Sequence, residues 1–269
     1  MNVHKVRLAG LGALLAVGAL TGCGAVDAAT ETGTSSKSTA PLTPRETLIK
    51  AVPDDDSGSF RFAIKGGTTP MKGVLDAAKH SYAIDVSQTD PDLGFTLTMK
   101  FLVIEKKSWI KISFSGTEGL TGLPKLPKKW MLIDPSKIKD KNGGPLAYDN
   151  ETDPGQTSAV IQAIVDVEQT RPGHFAGTTD LTKQGEAEIV DAATLKALGA
   201  KAEKVPFEAA IDAEGRLVSA LVKIPAAGKS KAQKYQVTYS GYGEAPTPAA
   251  PAAGESQPAT ATAYEMLNG

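Results

Sequence analysis

The sequence predicts an α+β domain in which an antiparallel sheet of successive hairpins is covered by a few helices. Three observations lead there. Apolar and polar residues alternate over many short runs divided by turn residues; three segments carry helix cap signals; and Asp212-Ala213-Glu214-Gly215 joins two alternating runs. A chain of 269 residues, 41% hydrophobic and 22% charged, has the material for one sizeable core.

The chain opens with a targeting signal. Lys5 and Arg7 precede an uncharged apolar run over residues 8–20, which is signal-peptide length and short for a membrane-spanning helix. The run ends in Leu20-Thr21-Gly22-Cys23, which resembles the lipobox of bacterial lipoproteins and contains the single cysteine of the chain. Residues 1–22 are therefore expected to be a signal peptide. Cys23 is expected to carry diacylglyceryl and acyl groups such as palmitate, holding the protein on the outer, extracytoplasmic face of the cell membrane. Each buried methylene of such an anchor contributes about 0.8 kcal/mol. Residues 23–42, rich in Ala, Thr, Ser and Gly, read as a flexible tether, and residues 246–269, with Pro246, Pro248, Pro251 and Pro258, as a disordered tail.

Residues 43–245 remain as the folded domain. Thr43 as N-cap, Pro44 at the first helical position and Glu46 at the third predict a capped helix with Leu48, Ile49 and Val52 on its apolar face. Period-two runs follow at Phe60/Phe62/Ile64, residues 71–75, Tyr82/Ile84/Val86, Phe95/Leu97/Met99/Phe101 with its extension to 104, Ile110/Ile112/Phe114, and residues 130–133. Asp153-Pro154-Gly155-Gln156 then signals a second helix, with Val160, Ile161, Ile164, Val165 and Val167 at helical spacing as far as Arg171-Pro172-Gly173; it is expected to cover one sheet face. Residues 174–181 read as a strand, and Asp191 as the cap of a short helix closed by Gly199. The hairpin of Phe207/Ala209/Ile211 with Val218/Ala220/Val222/Ile224 and the run Tyr235/Val237/Tyr239 complete the domain.

The order of lipobox, tether, capped helix, the strand Trp130-Met131-Leu132-Ile133-Asp134-Pro135, the run His174-Phe175-Ala176-Gly177-Thr178-Thr179-Asp180-Leu181 and the Val205-Pro206-Phe207 hairpin resembles the LppX/LprAFG lipoproteins of actinobacteria, over about Pro44 to Gly243. That resemblance implies a strongly curved antiparallel sheet, a half-barrel like that of LolA and LolB, with helices packed across the concave face and an apolar cavity between the layers. It also implies binding or transfer of an acylated lipid or glycolipid, with no catalytic group and no cofactor. An envelope transporter or another envelope protein is the expected protein partner.

The residues expected to line such a cavity are Phe60, Phe62, Ile84, Phe95, Leu97, Met99, Ile112, Val160, Ile164, Val218 and Val222; a close-packed core uses the same residue types at the same spacing. The lysines around Trp130, namely Lys125, Lys128, Lys129 and Lys137 together with Lys139 and Lys141, are candidates for anionic head groups or the membrane surface. Other chemistry has little support. With 29 basic against 30 acidic residues and no aromatic-interleaved basic face, nucleic acid is not an expected partner. His80 and His174 lack a second ligand at metal spacing, Asp54-Asp55-Asp56 and Asp90-Pro91-Asp92 lack the EF-hand order, and Gly66-Gly67 and Gly143-Gly144 lack the lysine of a phosphate loop. Ser113-Phe114-Ser115-Gly116 is no nucleophile elbow. The competing expectation is a packed, non-catalytic envelope scaffold, adhesion or sensor module that binds protein or cell-wall polymer.

Overall fold

The computed structural model describes residues 41–139, 146, 152–183 and 189–269. The signal peptide, the lipobox Leu20-Thr21-Gly22-Cys23 and residues 24–40 lie outside the described residues, as do Lys141 and Gly143-Gly144. Residues 41–269 form one compact unit.

In chain order the elements are α1 (Pro44–Ala51), β1 (Ser59–Lys65), β2 (Met71–Asp76), β3 (Ser81–Thr89), β4 (Thr96–Ile104), β5 (Lys107–Ser115), β6 (Trp130–Leu132), α2 (Thr157–Gln162), β7 (Ile164–Arg171), β8 (His174–Thr179), α3 (Ala192–Leu198), β9 (Val205–Ile211), β10 (Leu217–Ile224), β11 (Gln233–Ser240), β12 (Ser256–Pro258) and α4 (Ala261–Asn268). The α+β class is as expected. The strands make one 12-stranded sheet in the order β12-β6-β5-β4-β3-β2-β1-β11-β10-β9-β8-β7. Two meanders, β1 to β6 and β7 to β11, join where β1 pairs antiparallel with β11, Arg61 opposite Ser240 and Lys65 opposite Gln236. Among the described residues only β12, beside β6, is parallel. The sheet is open, with β7 and β12 at its margins.

Alternation places one side chain set inward. Phe60 and Phe62, Leu75, Tyr82 and Ile84, Phe101, Ile110, Phe207, Val222 and Val237 share a continuous buried cluster with Leu48 of α1 and Val160 and Ile161 of α2. Small residues make room for large ones: a Cβ on Gly73 would come 2.9 Å from the Phe62 ring that lies across it. The start of α1 has the capping box the sequence predicts, the Thr43 hydroxyl accepting from the Glu46 N–H at 3.2 Å while the Glu46 carboxylate accepts from the Thr43 N–H at 2.8 Å. Asp191 caps α3 as expected, accepting from the Thr194 N–H at 2.7 Å.

Three expectations are corrected. The second helix ends at Gln162, and Val165 and Val167 belong to β7. Polar residues at 166, 168 and 170 give this stretch period two, and its β-branched side chains suit a strand. Gly177 on β8 admits the neighbouring backbone, since a Cβ there would lie 2.0 Å from the Asp166 carbonyl oxygen. Second, a register shift between Leu217 and Ser219 turns Val218 partly outward, so that Leu217 takes the inward place expected of it. Third, the tail is folded. The Trp130 N–H donates to the Glu255 carbonyl at 3.0 Å, β12 lies beside β6, and Thr260 caps α4, whose Ala263 is buried. The Tyr264 hydroxyl accepts from the Asp134 N–H at 2.8 Å. These partners are more than a hundred residues away in sequence, and local composition carries no trace of them.

Candidate functional site

Apart from Val218, turned partly outward, the expected lining residues divide into two groups. Phe60, Phe62, Ile84, Ile112, Val160, Ile164 and Val222 are all buried in the core cluster. Phe60 packs edge-on against Tyr239, with ring centroids 5.7 Å apart, and lies 5.4 Å from the ring of Tyr242. Beside them a polar clasp fixes α2 to β11. The Tyr239 hydroxyl donates to the buried Asp153 carboxylate, the Thr157 hydroxyl donates to the same oxygen at 2.8 Å, and the Ser158 N–H donates to the other at 2.7 Å. Burial, together with the adjacent Asp153 charge, holds the Tyr235 and Tyr239 phenols well above their ordinary pKa, so both remain hydrogen-bond donors. Side chains there fill the interior.

Phe95, Leu97 and Met99 differ: they are only half-buried. Register sets Leu97 opposite Phe114 and Met99 opposite Ile112, and the Phe95 and Phe114 rings lie 6.1 Å apart. Together they form an apolar strip on the inward face where β4 begins and β5 ends.

Phe114 of the strip also borders a groove at the margin of β5. That strand pairs with β6 only through Trp109 and Ile110, so among the described residues its second half has no strand partner on that side. The chain after it reads Leu120, Leu123-Pro124-Lys125, Leu126-Pro127-Lys128. Its burial follows a period of three, with Leu120, Leu123 and Leu126 half-buried and Lys125 and Lys128 exposed, as a polyproline-type segment with three residues per turn would give. Gly119 and Gly122, both at positive φ with open space around them, supply the bends that leucine or proline would resist. Between this segment and β5 lies a groove of about 760 Å³ whose walls include Ile112, Phe114, Leu120, Leu123 and Leu126, with Lys111, Lys125 and Lys128 among its lining residues.

Of the four lysines expected to meet a head group, the structure brings Lys125 and Lys128 to the groove. Lys129 donates to the Gly254 carbonyl at 2.7 Å, and the ammonium of Lys137 stands 5.4 Å from the centre of the Tyr264 ring; both hold the tail. Phe114 and the three leucines complete the wall, and a scan for period three would have found the leucines. Among the described residues no three metal-binding side chains converge, and no helix is long and apolar enough to cross a membrane.

No family model matches the chain, and no curated protein matches it.

Proposed function

We propose that the protein is a lipoprotein anchored through Cys23 on the outer face of a membrane, and that it binds or transfers an acylated lipid or glycolipid without catalysis. The carrying observation is the leucine- and phenylalanine-walled groove, which shares Phe114 with the half-buried strip of Leu97 and Met99 and has Lys125 and Lys128 beside it. An alkyl chain laid there leaves water at about 0.8 kcal/mol per methylene fully buried, and two ammonium groups suit a phosphate or carboxylate head. In this reading the family is that of the LppX/LprAFG lipoproteins, and the sheet is strongly curved with α1 and α2 on its concave side. The lipid site differs from the one the resemblance implies: it sits at the strand margin instead of under the helices.

The test uses residues 41–269, which hold the whole described core. Organic extraction and mass spectrometry should recover lipid from this fragment, and it should carry a fluorescent phospholipid between vesicles. Fragment that releases no lipid and accelerates no transfer would defeat the lipid reading. Cys23→Ala in the full chain should separately move the protein out of the membrane fraction.

A further inference from the structure

A second surface lies on the other side of the sheet. Register fixes which side chains face away from the core: Ala63 stands between Thr238 and Lys72, Lys72 opposite Asp85, Asp85 opposite Lys100, and Lys100 opposite Lys111. One row across β2 to β5 therefore reads Lys72, Asp85, Lys100, Lys111. With strands about 4.8 Å apart it extends about 14 Å. Arg61, Lys65 and Lys234 occupy neighbouring rows of the same face.

The carboxylates on this half are engaged. Asp85 pairs with Lys100 at 3.2 Å, while Asp76 is buried at the strand ends and accepts from the Thr247 hydroxyl at 2.6 Å and the Lys79 N–H at 3.2 Å. Arg61 and Lys72 have no ion-pair partner among the described residues, and they stand together on a dent of about 460 Å³ whose lining also includes Ala63, Ala83, Thr238, Ser240 and Asp85, the last with its charge offset by Lys100. The other half of the face, on β7 to β10, carries Asp166, Glu168 and Glu208 against Lys223 and Arg171, so the excess of basic groups lies on the β1 to β5 half.

The outward residues of β1 to β4 include no aromatic side chain to stack a base, and none of the exposed large apolar residues is among them to enter a bilayer. They include hydroxyl pairs instead, Ser87 with Thr98 at 3.1 Å and Thr89 with Thr96 at 2.9 Å. We propose that this half of the outer face binds an extended anionic polysaccharide. Arg61 and Lys72 hold one carboxylate or phosphate in the dent, Lys111 at the far end of the row, where β5 borders the groove, meets a further charge along the polymer, and the Ser and Thr hydroxyls meet its sugar hydroxyls.

Binding of residues 41–269 is measured to polygalacturonate, dextran phosphate, neutral dextran and phosphatidylglycerol vesicles. One or both charged polymers should bind, more weakly as salt rises from about 50 to about 300 mM, and their ratio tells carboxylate from phosphate. The variant R61E/K72E should lose at least about tenfold in affinity with unchanged thermal unfolding, and K111E should weaken binding independently. The groove variant K125E/K128E should bind as wild type, which distinguishes this surface from the lipid groove even though Lys111 borders both. Equal binding of neutral dextran, failure of both charged polymers to bind, wild-type affinity in R61E/K72E, or vesicles displacing the polymer would each overturn the proposal.

Discussion

Replacing Leu123 and Leu126 together by Asn should cost the protein its lipid while leaving its fold. Both side chains are half-buried on the segment facing β5, and Leu126 also packs against the edge of the core. Full burial of a leucine is worth about 1.5–3 kcal/mol, so the half still open to an alkyl chain contributes about 1 kcal/mol at each position. Two such losses sum to about 2 kcal/mol, or about thirtyfold in affinity. A fluorescent fatty acid titrated into residues 41–269 and displaced by phospholipid measures this. Val222→Ala is the control: it opens a cavity in the interior, lowers stability by about 1–3 kcal/mol, and should leave the affinity of the folded protein unchanged. If the double Asn variant binds within twofold of wild type while Val222→Ala weakens binding, the site lies in the interior and the groove assignment is wrong.

Three further outcomes are expected. Tyr239→Phe keeps the ring against Phe60 but removes a donor from buried Asp153, and should cost about 1–3 kcal/mol in urea unfolding. Burial raises the Asp212 carboxyl, but the Arg216 N–H and guanidinium outweigh it and hold its pKa below the ordinary Asp value; Asp180 is likewise held down, by Thr182 and Lys183 against its burial. Stability from a lowered carboxyl is fully present above the unfolded pKa of about 3.9 and is lost as pH falls through the folded one, so the double variant D180N/D212N should flatten the acid limb of a stability profile below about pH 4. Tyr264→Ala removes both the acceptor for the Asp134 N–H and the platform under Lys137, and should make α4 an early site of limited proteolysis while the sheet core stays resistant.

Much of the fold was legible because its signals are local. The Thr43/Glu46 box, the alternation of β1, β3, β4 and β11, and the Asp212 turn each fit within a few residues. What escaped is set by partners elsewhere. Ile164 to Val167 fit helical spacing as well as strand alternation, and only pairing with β8 decides for the strand. The bulge at Val218 shifts a face by one residue, and the tail takes its order from β6 and Asp134. The site was half legible for the same reason. Leu97 and Met99 look like Phe60 and Val160 in sequence, since apolar alternation cannot say which end of a strand stays uncovered. The groove depends on β6 being too short to cover β5, a fact about two strands together.

The most direct test places an alkyl chain on the molecule. A fatty acid bearing a photoreactive group near its terminus, equilibrated with residues 41–269 and activated, should attach within residues 111–128 and at Leu97 or Met99, and excess phospholipid should suppress the label. Attachment confined to side chains beneath α1 and α2, or labelling spread evenly over the surface and indifferent to competitor, would contradict the account.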